Sequence, residues 1–170
     1  ALNEGRIVRG LGRHQHIVKI VGTCLQDFDP VNWVNGELHI LMFPVAHCDL
    51  AVFLDDCEEV SSPSRGSLTE LPNRLERLVS LGFHVSKPAD ELRYEIQTRL
   101  KEILGCLCNA VEWMHKQDIE HRDLKPANIL VRPEQVLITD FGISRNESGA
   151  RSTTDYHVGY TLGYAAPEVL

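Results

Sequence analysis

One long amphipathic segment that breaks off abruptly constrains this chain more than any other feature. From Asp90 to Lys116, the residues Ile96, Leu100, Ile103, Leu107, Ala110, Val111 and Met114 recur at intervals of three and four. That spacing lays one continuous apolar stripe along a helix, and such a stripe normally faces a core. The pattern turns irregular from Asp118 to Ala127. Two short apolar runs follow, Ile129 to Val131 and Val136 to Thr139, linked by Arg132-Pro133-Glu134. They read as strands.

Upstream, Ala1 to Leu11 reads as the end of a helix, weakened by Gly5 and Gly10. Ile17 to Leu25 and Glu37 to Phe43 read as two strands of a hairpin. Asp29-Pro30 and Asn35-Gly36 supply turns between them. Asp49 is placed to cap a short helix, Leu50 to Leu54. Residues 55–92 read as an insert without chemistry. Asp55 to Ser67 is acidic, then serine-rich, and reads as a loop. Leu71 to Leu81 reads as a short amphipathic helix, and Gly82 to Pro88 breaks it.

Composition narrows the function classes. The 170 residues carry 17 basic and 24 acidic side chains, a net charge of −7. A general nucleic-acid binder would normally be basic. No run approaches the roughly 18 apolar residues that span a bilayer, so neither nucleic acid nor membrane is expected as a partner. The chain opens on Ala1 rather than Met, which reads as a fragment or a processed product. Five cysteines, Cys24, Cys48, Cys57, Cys106 and Cys108, fit no CxxC pattern. They read as buried or half-buried thiols in a reducing compartment, cytoplasmic or nuclear. His14 and His16 lack the neighbouring acid or thiol that a metal site would need.

Three short strings carry the chemistry. His121-Arg122-Asp123-Leu124-Lys125-Pro126-Ala127-Asn128 lies between the long helix and a strand. Asp140-Phe141-Gly142 follows the next strand, and Ala166-Pro167-Glu168 comes last. Asp123 precedes Asn128 by five residues and Asp140 by seventeen, and Asp140 precedes Glu168 by twenty-eight. In this order and spacing the strings resemble the eukaryotic protein kinase family. The resemblance implies an incomplete two-lobed α+β fold. Residues 1–46 would be part of the small lobe: the end of its helix, two strands and the hinge. Residues 47–170 would be part of the helical lobe, with the insert at 55–92 and the activation segment at 140–168. The hinge, Gly105-Cys106-Leu107 and the long insert are together similar to kinases of filamentous fungi.

The implied activity is transfer of the ATP γ-phosphate to a protein Ser or Thr hydroxyl, with ATP and Mg²⁺ as cofactors. Such transfer needs alignment and charge neutralisation more than covalent help. By resemblance, Asp123 orients the acceptor hydroxyl and takes its proton, and Lys125 offsets charge on the γ-phosphate. Lys125, two residues after the Asp, is similar to the Ser/Thr-directed branch. Asn128 and Asp140 supply the hard oxygen ligands that Mg²⁺ prefers. Thr161, three residues before Tyr164 and seven before Glu168, matches a position that bridges the catalytic Asp and Lys. Met42 would be the gatekeeper, and the backbone of Phe43 and Val45 would meet adenine. Pro44 fits between them because its missing N–H is not used. Glu4 matches the helix glutamate that pairs with a strand lysine, and it also reads as a solvated helix-face charge. Val8, Ile20, His121 and Phe141 would stack as a regulatory spine, with Gly142 completing the second string. Arg122 would meet a phosphate placed on the activation segment by an upstream kinase. Ser152, Thr153 and Thr154 are the candidate acceptors there.

Gly10-Leu11-Gly12 is no phosphate loop, since the third glycine position is Gln15. Lys19 does not fit the strand lysine. Two readings therefore stand at this point. One is a segment of an active Ser/Thr kinase. The other is a truncated, pseudokinase-like binding module. On either reading the isolated chain, without a Gly-rich loop or the strand lysine, is expected to be inactive and marginally stable, with exposed apolar surface.

Overall fold

A computed structural model describes residues 12–26, 37–61, 71–141, 145–146 and 161–164. The apolar stripe folds as expected, into a helix of 27 residues, Ala89–His115. The helices are α1 (Leu50–Ser61), α2 (Leu71–Ser80) and α3 (Ala89–His115). The strands are β1 (Lys19–Gln26), β2 (Glu37–Phe43), β3 (Cys48–Asp49), β4 (Ile119–Glu120), β5 (Ile129–Arg132), β6 (Gln135–Ile138) and β7 (Arg145–Asn146). Asp90 and Glu91 lie in the first turn of α3 and His115 in its last, the charge order that the helix dipole favours.

At about 1.5 Å per residue, α3 is about 40 Å long and serves two cores. Its first half buries Leu92, Ile96 and Ile103 with Leu50, Phe53, Cys57, Leu78 and Val131. Its second half buries Ala110 and Met114 with Ile17, Ile119, Ile138 and Phe141. The β5–β6 hairpin feeds both from one face, since Ile129, Val131 and Val136 enter the first core and Ile138, the register partner of Ile129, enters the second. β3 pairs with β5, and β5 with β6, all antiparallel. β1 and β2 form the expected antiparallel hairpin, with an irregularity between Ile20 and Gly22. Ile17 bridges to Ile138 instead of joining β1, which ties the start of the hairpin to the second core.

Asp49 caps α1 as expected. The Val52 backbone N–H donates to its carboxylate at 2.9 Å. The helix does not stop at Leu54, however. It runs to Ser61, so the loop expected from Asp55 is corrected. Leu50, Phe53 and Cys57 are spaced three and four apart and pack into the first core, which overrides the loop-like composition. Asp56, on the same face, is buried and takes both Arg77 and Arg74 of α2. Residues 55–92 are therefore part of the framework as far as they are described. The cysteines also need a correction. Cys57 is buried and Cys48 and Cys106 are half-buried, but Cys24 and Cys108 are exposed. Burial, together with the nearby Asp56 charge, pushes the Cys48 thiol up to about 11 and the Cys57 thiol up to about 12.

Candidate active site

The site is built where α3 ends. The chain turns through Asp118 and forms β4, which pairs with β7. His121 follows, buried in the fold. Its Nε2 lies 2.9 Å from the Thr139 carbonyl oxygen, and the Asp123 backbone N–H donates to its Nδ1 at 3.3 Å. One ring nitrogen thus donates and the other accepts, the pattern of neutral imidazole. Burial holds the His121 pKa below the ordinary histidine range, which agrees with that state. Its ring packs 4.8 Å from Phe141.

Arg122 has φ 71° and Asp140 has φ 61°. Left-handed backbone at a non-glycine residue costs about 1 kcal/mol or more and is held in place by its surroundings. Here the surroundings are β4 and β7 beside Arg122 and the β5–β6 hairpin beside Asp140. The Arg122 guanidinium lies 3.8 Å from the Glu120 carboxylate.

Asp123, Lys125 and Thr161 form a closed triangle. Lys125 Nζ donates to Asp123 Oδ2 at 2.7 Å and to Thr161 Oγ1 at 2.8 Å. The Thr161 hydroxyl donates to Asp123 Oδ1 at 2.8 Å. Asn128 Nδ2 donates to the Asp123 carbonyl at 2.9 Å and to Oδ2 at 3.0 Å. Burial pushes the Asp123 carboxyl up. Hydrogen bonds from Lys125, Thr161 and Asn128, with the Lys125 charge, outweigh that and hold it below its ordinary range.

The β5–β6 hairpin sets the second half of the site. Asn128 ends a 3-10 turn, Pro126–Asn128, directly before β5. The Thr139 N–H donates to the Asn128 carbonyl at 3.0 Å, which extends the ladder by one step and brings Asn128 and Asp140 to one end of the hairpin. The Asn128 amide nitrogen is engaged, so its side-chain oxygen is the atom left for a ligand. An amide oxygen and a carboxylate suit Mg²⁺, which keeps several waters and takes phosphate oxygens for the rest. Among the described residues, no group of three or more His, Cys, Asp or Glu is gathered as a metal cage.

The remaining expectations divide. Ile20 is half-buried against the cluster that holds Phe141, so Ile20, His121 and Phe141 are brought together. Met42 approaches the site through its sulfur, 3.6 Å from the Thr139 hydroxyl. Phe43 and Val45 are exposed. Glu4, Val8, Gly142, Ser152, Thr153, Thr154 and Glu168 lie outside the described residues. Sequence reading missed Thr139, which joins His121, Asn128 and Met42. Its position directly before the Asp140 string was the available signal.

The profile of the protein kinase domain family matches residues 1–170. A serine/threonine-protein kinase, PknJ, of Mycobacterium tuberculosis is 41% identical over 88 residues, 48% of this chain and 15% of that protein. Ribosomal protein S6 kinase 2 alpha of Gallus gallus is 42% identical over 76 residues, 40% of the chain and 10% of that protein. Serine/threonine-protein kinase sck1 of Schizosaccharomyces pombe is 43% identical over 75 residues, 44% of the chain and 11% of that protein. The chain thus spans a small part of the length of the curated relatives it matches.

Proposed function

Because this chain belongs to the protein kinase family, we propose that its catalytic loop serves an ATP-dependent protein serine/threonine kinase. One observation carries the reading: the triangle of Asp123, Lys125 and Thr161 is nearly filled. A lysine ammonium has three donors, and two of them go to Asp123 and Thr161. Among the described residues nothing takes the third, which is left for a phosphate oxygen. Each carboxylate oxygen accepts about two bonds. Oδ2 of Asp123 already takes Lys125 and Asn128, while Oδ1 takes Thr161 alone among the described residues. One acceptor position remains, on Oδ1, for an incoming hydroxyl.

The two vacancies define the work of the loop. Asp123 Oδ1 would receive the hydrogen bond of a Ser or Thr hydroxyl and aim its oxygen at the phosphorus. A carboxyl held below its ordinary range is a weak base, so orientation comes first and the proton arrives late, as a loose transition state allows. Lys125 would hold an oxygen of the transferred group. Thr161 fixes the angle between the two. Asn128 and Asp140 would hold Mg²⁺. When bound, the ion neutralises charge on the phosphate oxygens. Residues 1–46 and 47–170 would belong to the small and helical lobes, with Met42, Phe43 and Val45 at the nucleotide edge. Glu4, Val8, Gly142 and Glu168 keep the roles implied for them, and Arg122 would meet a phosphate added by an upstream kinase, displacing Glu120. No helix among the described residues is long and apolar enough to cross a membrane. The free thiols fit a cytoplasmic or nuclear setting.

The test is transfer of radiolabelled phosphate from Mg·ATP to a Ser/Thr protein substrate by the full-length protein that contains this chain. Asp123→Asn should slow transfer on the order of 10³-fold, the usual scale for a positioned acid–base group. Transfer that is unchanged by Asp123→Asn contradicts the proposal. No transfer by the unaltered protein, with partner binding retained, replaces it with the binding-module reading.

A further inference from the structure

Thr139 is held in three directions at once. Its backbone N–H donates to the Asn128 carbonyl at 3.0 Å, and its own carbonyl accepts from His121 Nε2 at 2.9 Å. Its side chain is buried, and the hydroxyl donates to the Met42 sulfur at 3.6 Å. A β-branched side chain is stiff at χ1. With the backbone locked on both sides, the Thr139 hydroxyl therefore stands at one place.

Met42 needs such a post. It lies near the end of β2 and is 42% exposed, and a thioether on three rotatable bonds adapts to many positions. The β1–β2 ladder is also irregular beside it. Ile20 pairs with Met42 and Gly22 with Leu41, so Val21 is an extra residue of β1. Such a bulge bends the strand and re-aims the side chains next to it. Val21 is exposed, while Ile20 packs half-buried against the cluster that holds Phe141. On the β1 side the hairpin is tied to β6 by backbone. The Val18 N–H donates to the Ile138 carbonyl at 3.0 Å, and the Ile138 N–H to the His16 carbonyl at 2.9 Å. On the β2 side the Thr139 hydroxyl supplies a tie of its own, one residue before Asp140.

We propose that Thr139 is a positioning residue for the nucleotide: the bond from its hydroxyl to Met42 sets the span between the end of β2, where the base would sit, and the hairpin end that carries Asn128 and Asp140. The proposal rests on the reading of this site as an ATP site. A nucleotide is one covalent unit, so it binds best when the groups for both of its ends already stand in place, and a loose span costs affinity. Thr139 makes no contact with the triangle of Asp123, Lys125 and Thr161 among the bonds described above. Losing the tie should therefore weaken binding and leave turnover nearly intact.

The test compares Thr139→Val, Thr139→Ser, Met42→Leu and the double variant Thr139→Val with Met42→Leu, all in the full-length protein that contains this chain. Val keeps the shape and branch of Thr without the donor, and Leu keeps the bulk of Met without the sulfur. Equilibrium dialysis with radiolabelled ATP and Mg²⁺ gives the dissociation constant, and initial rates give KM and kcat. Thr139→Val should raise the dissociation constant and the KM for ATP about threefold to tenfold, the scale of one modest hydrogen bond. Its kcat should change less than about twofold. Thr139→Ser should bind within about twofold of the unaltered protein. Met42→Leu should resemble Thr139→Val, and the double variant should be no weaker than either, because all three remove the same bond. Unchanged affinity in Thr139→Val, losses that multiply in the double variant, a Ser variant as weak as the Val variant, or a loss confined to kcat each overturn the proposal. The expected pattern of ATP affinities in a protein that transfers no phosphate upholds the role of Thr139 and removes only the kinase reading. A protein that binds no ATP overturns both.

Discussion

Two carboxylates in this molecule are each held by a cation, and they are built for opposite ends. Asp56 has 1% of its side chain exposed and is gripped by the Arg77 fork at 2.7 and 2.8 Å, with Arg74 at 3.3 Å. Asp123 keeps 13% of its side chain exposed and is held by a lysine, a hydroxyl and an amide. The Arg fork fixes both oxygens of Asp56 in one plane. It locks α1 to α2 and gives no path for a reacting group. The lysine is a point charge on a flexible stem. It steadies Asp123 without covering it, and an acceptor position on Oδ1 stays open among the described residues. Burial and full pairing mark the framework. Partial exposure and, among the described residues, one open acceptor position mark the carboxylate proposed to do the chemistry.

That contrast fails if Asp56 proves dispensable. Removing one partner of a buried pair strands the other charge, at a cost of about 3 kcal/mol. Arg77 keeps 35% of its side chain exposed and can turn towards water, so the lower end of the usual range applies. Asp56→Ala should therefore lower the urea midpoint of the chain by an amount equivalent to about 3 kcal/mol. A midpoint unchanged within error would place Asp56 outside the framework.

A smaller effect separates position from charge. Thr161→Ala removes the hydroxyl that joins Asp123 to Lys125, while Thr161→Ser keeps it. Transfer by the full-length protein should fall about tenfold to a hundredfold in the Ala variant, the scale of one lost charge-assisted hydrogen bond. The Ser variant should recover most of it. Equal loss in both would make the methyl group, not the hydroxyl, the part that matters.

The smallest effect concerns pH. The His121 pKa is lowered in the folded chain, so the unfolded chain binds the proton first. Neutral His121 imposes no cost above the ordinary value of about 6.5, and stability declines as pH falls below it. Urea midpoints measured between about pH 7 and pH 5 should fall, and the slope should be shallower in His121→Gln. An identical slope would remove His121 as the source.

How legible all this was in the sequence follows from where each interaction lies along the chain. The triangle was readable because Asp123, Lys125 and Asn128 fall within one string, and Thr161 matched a second pattern. The stripe of α3 was readable because helical periodicity survives single exceptions. Asp56 was not. Its partner Arg77 lies 21 residues away, across a stretch whose acids and serines read as a loop. The missed signal was Leu50, Phe53 and Cys57 on one helical face, which tertiary packing turned into a helix through Ser61. The bridge from Ile17 to Ile138 and the contact of Met42 with Thr139 join distant positions, and no local pattern encodes them.

The separation of framework from chemistry is tested most directly by making Asp123→Asn and Asp56→Ala in the full-length protein and measuring phosphate transfer and melting temperature on the same preparations. Asp123→Asn should lose transfer on the order of 10³-fold and shift the melting temperature by about 2–4 °C, the equivalent of about 1 kcal/mol. Asp56→Ala should show the larger melting shift. Transfer that survives Asp123→Asn, or a melting loss in that variant as large as the one in Asp56→Ala, would contradict it.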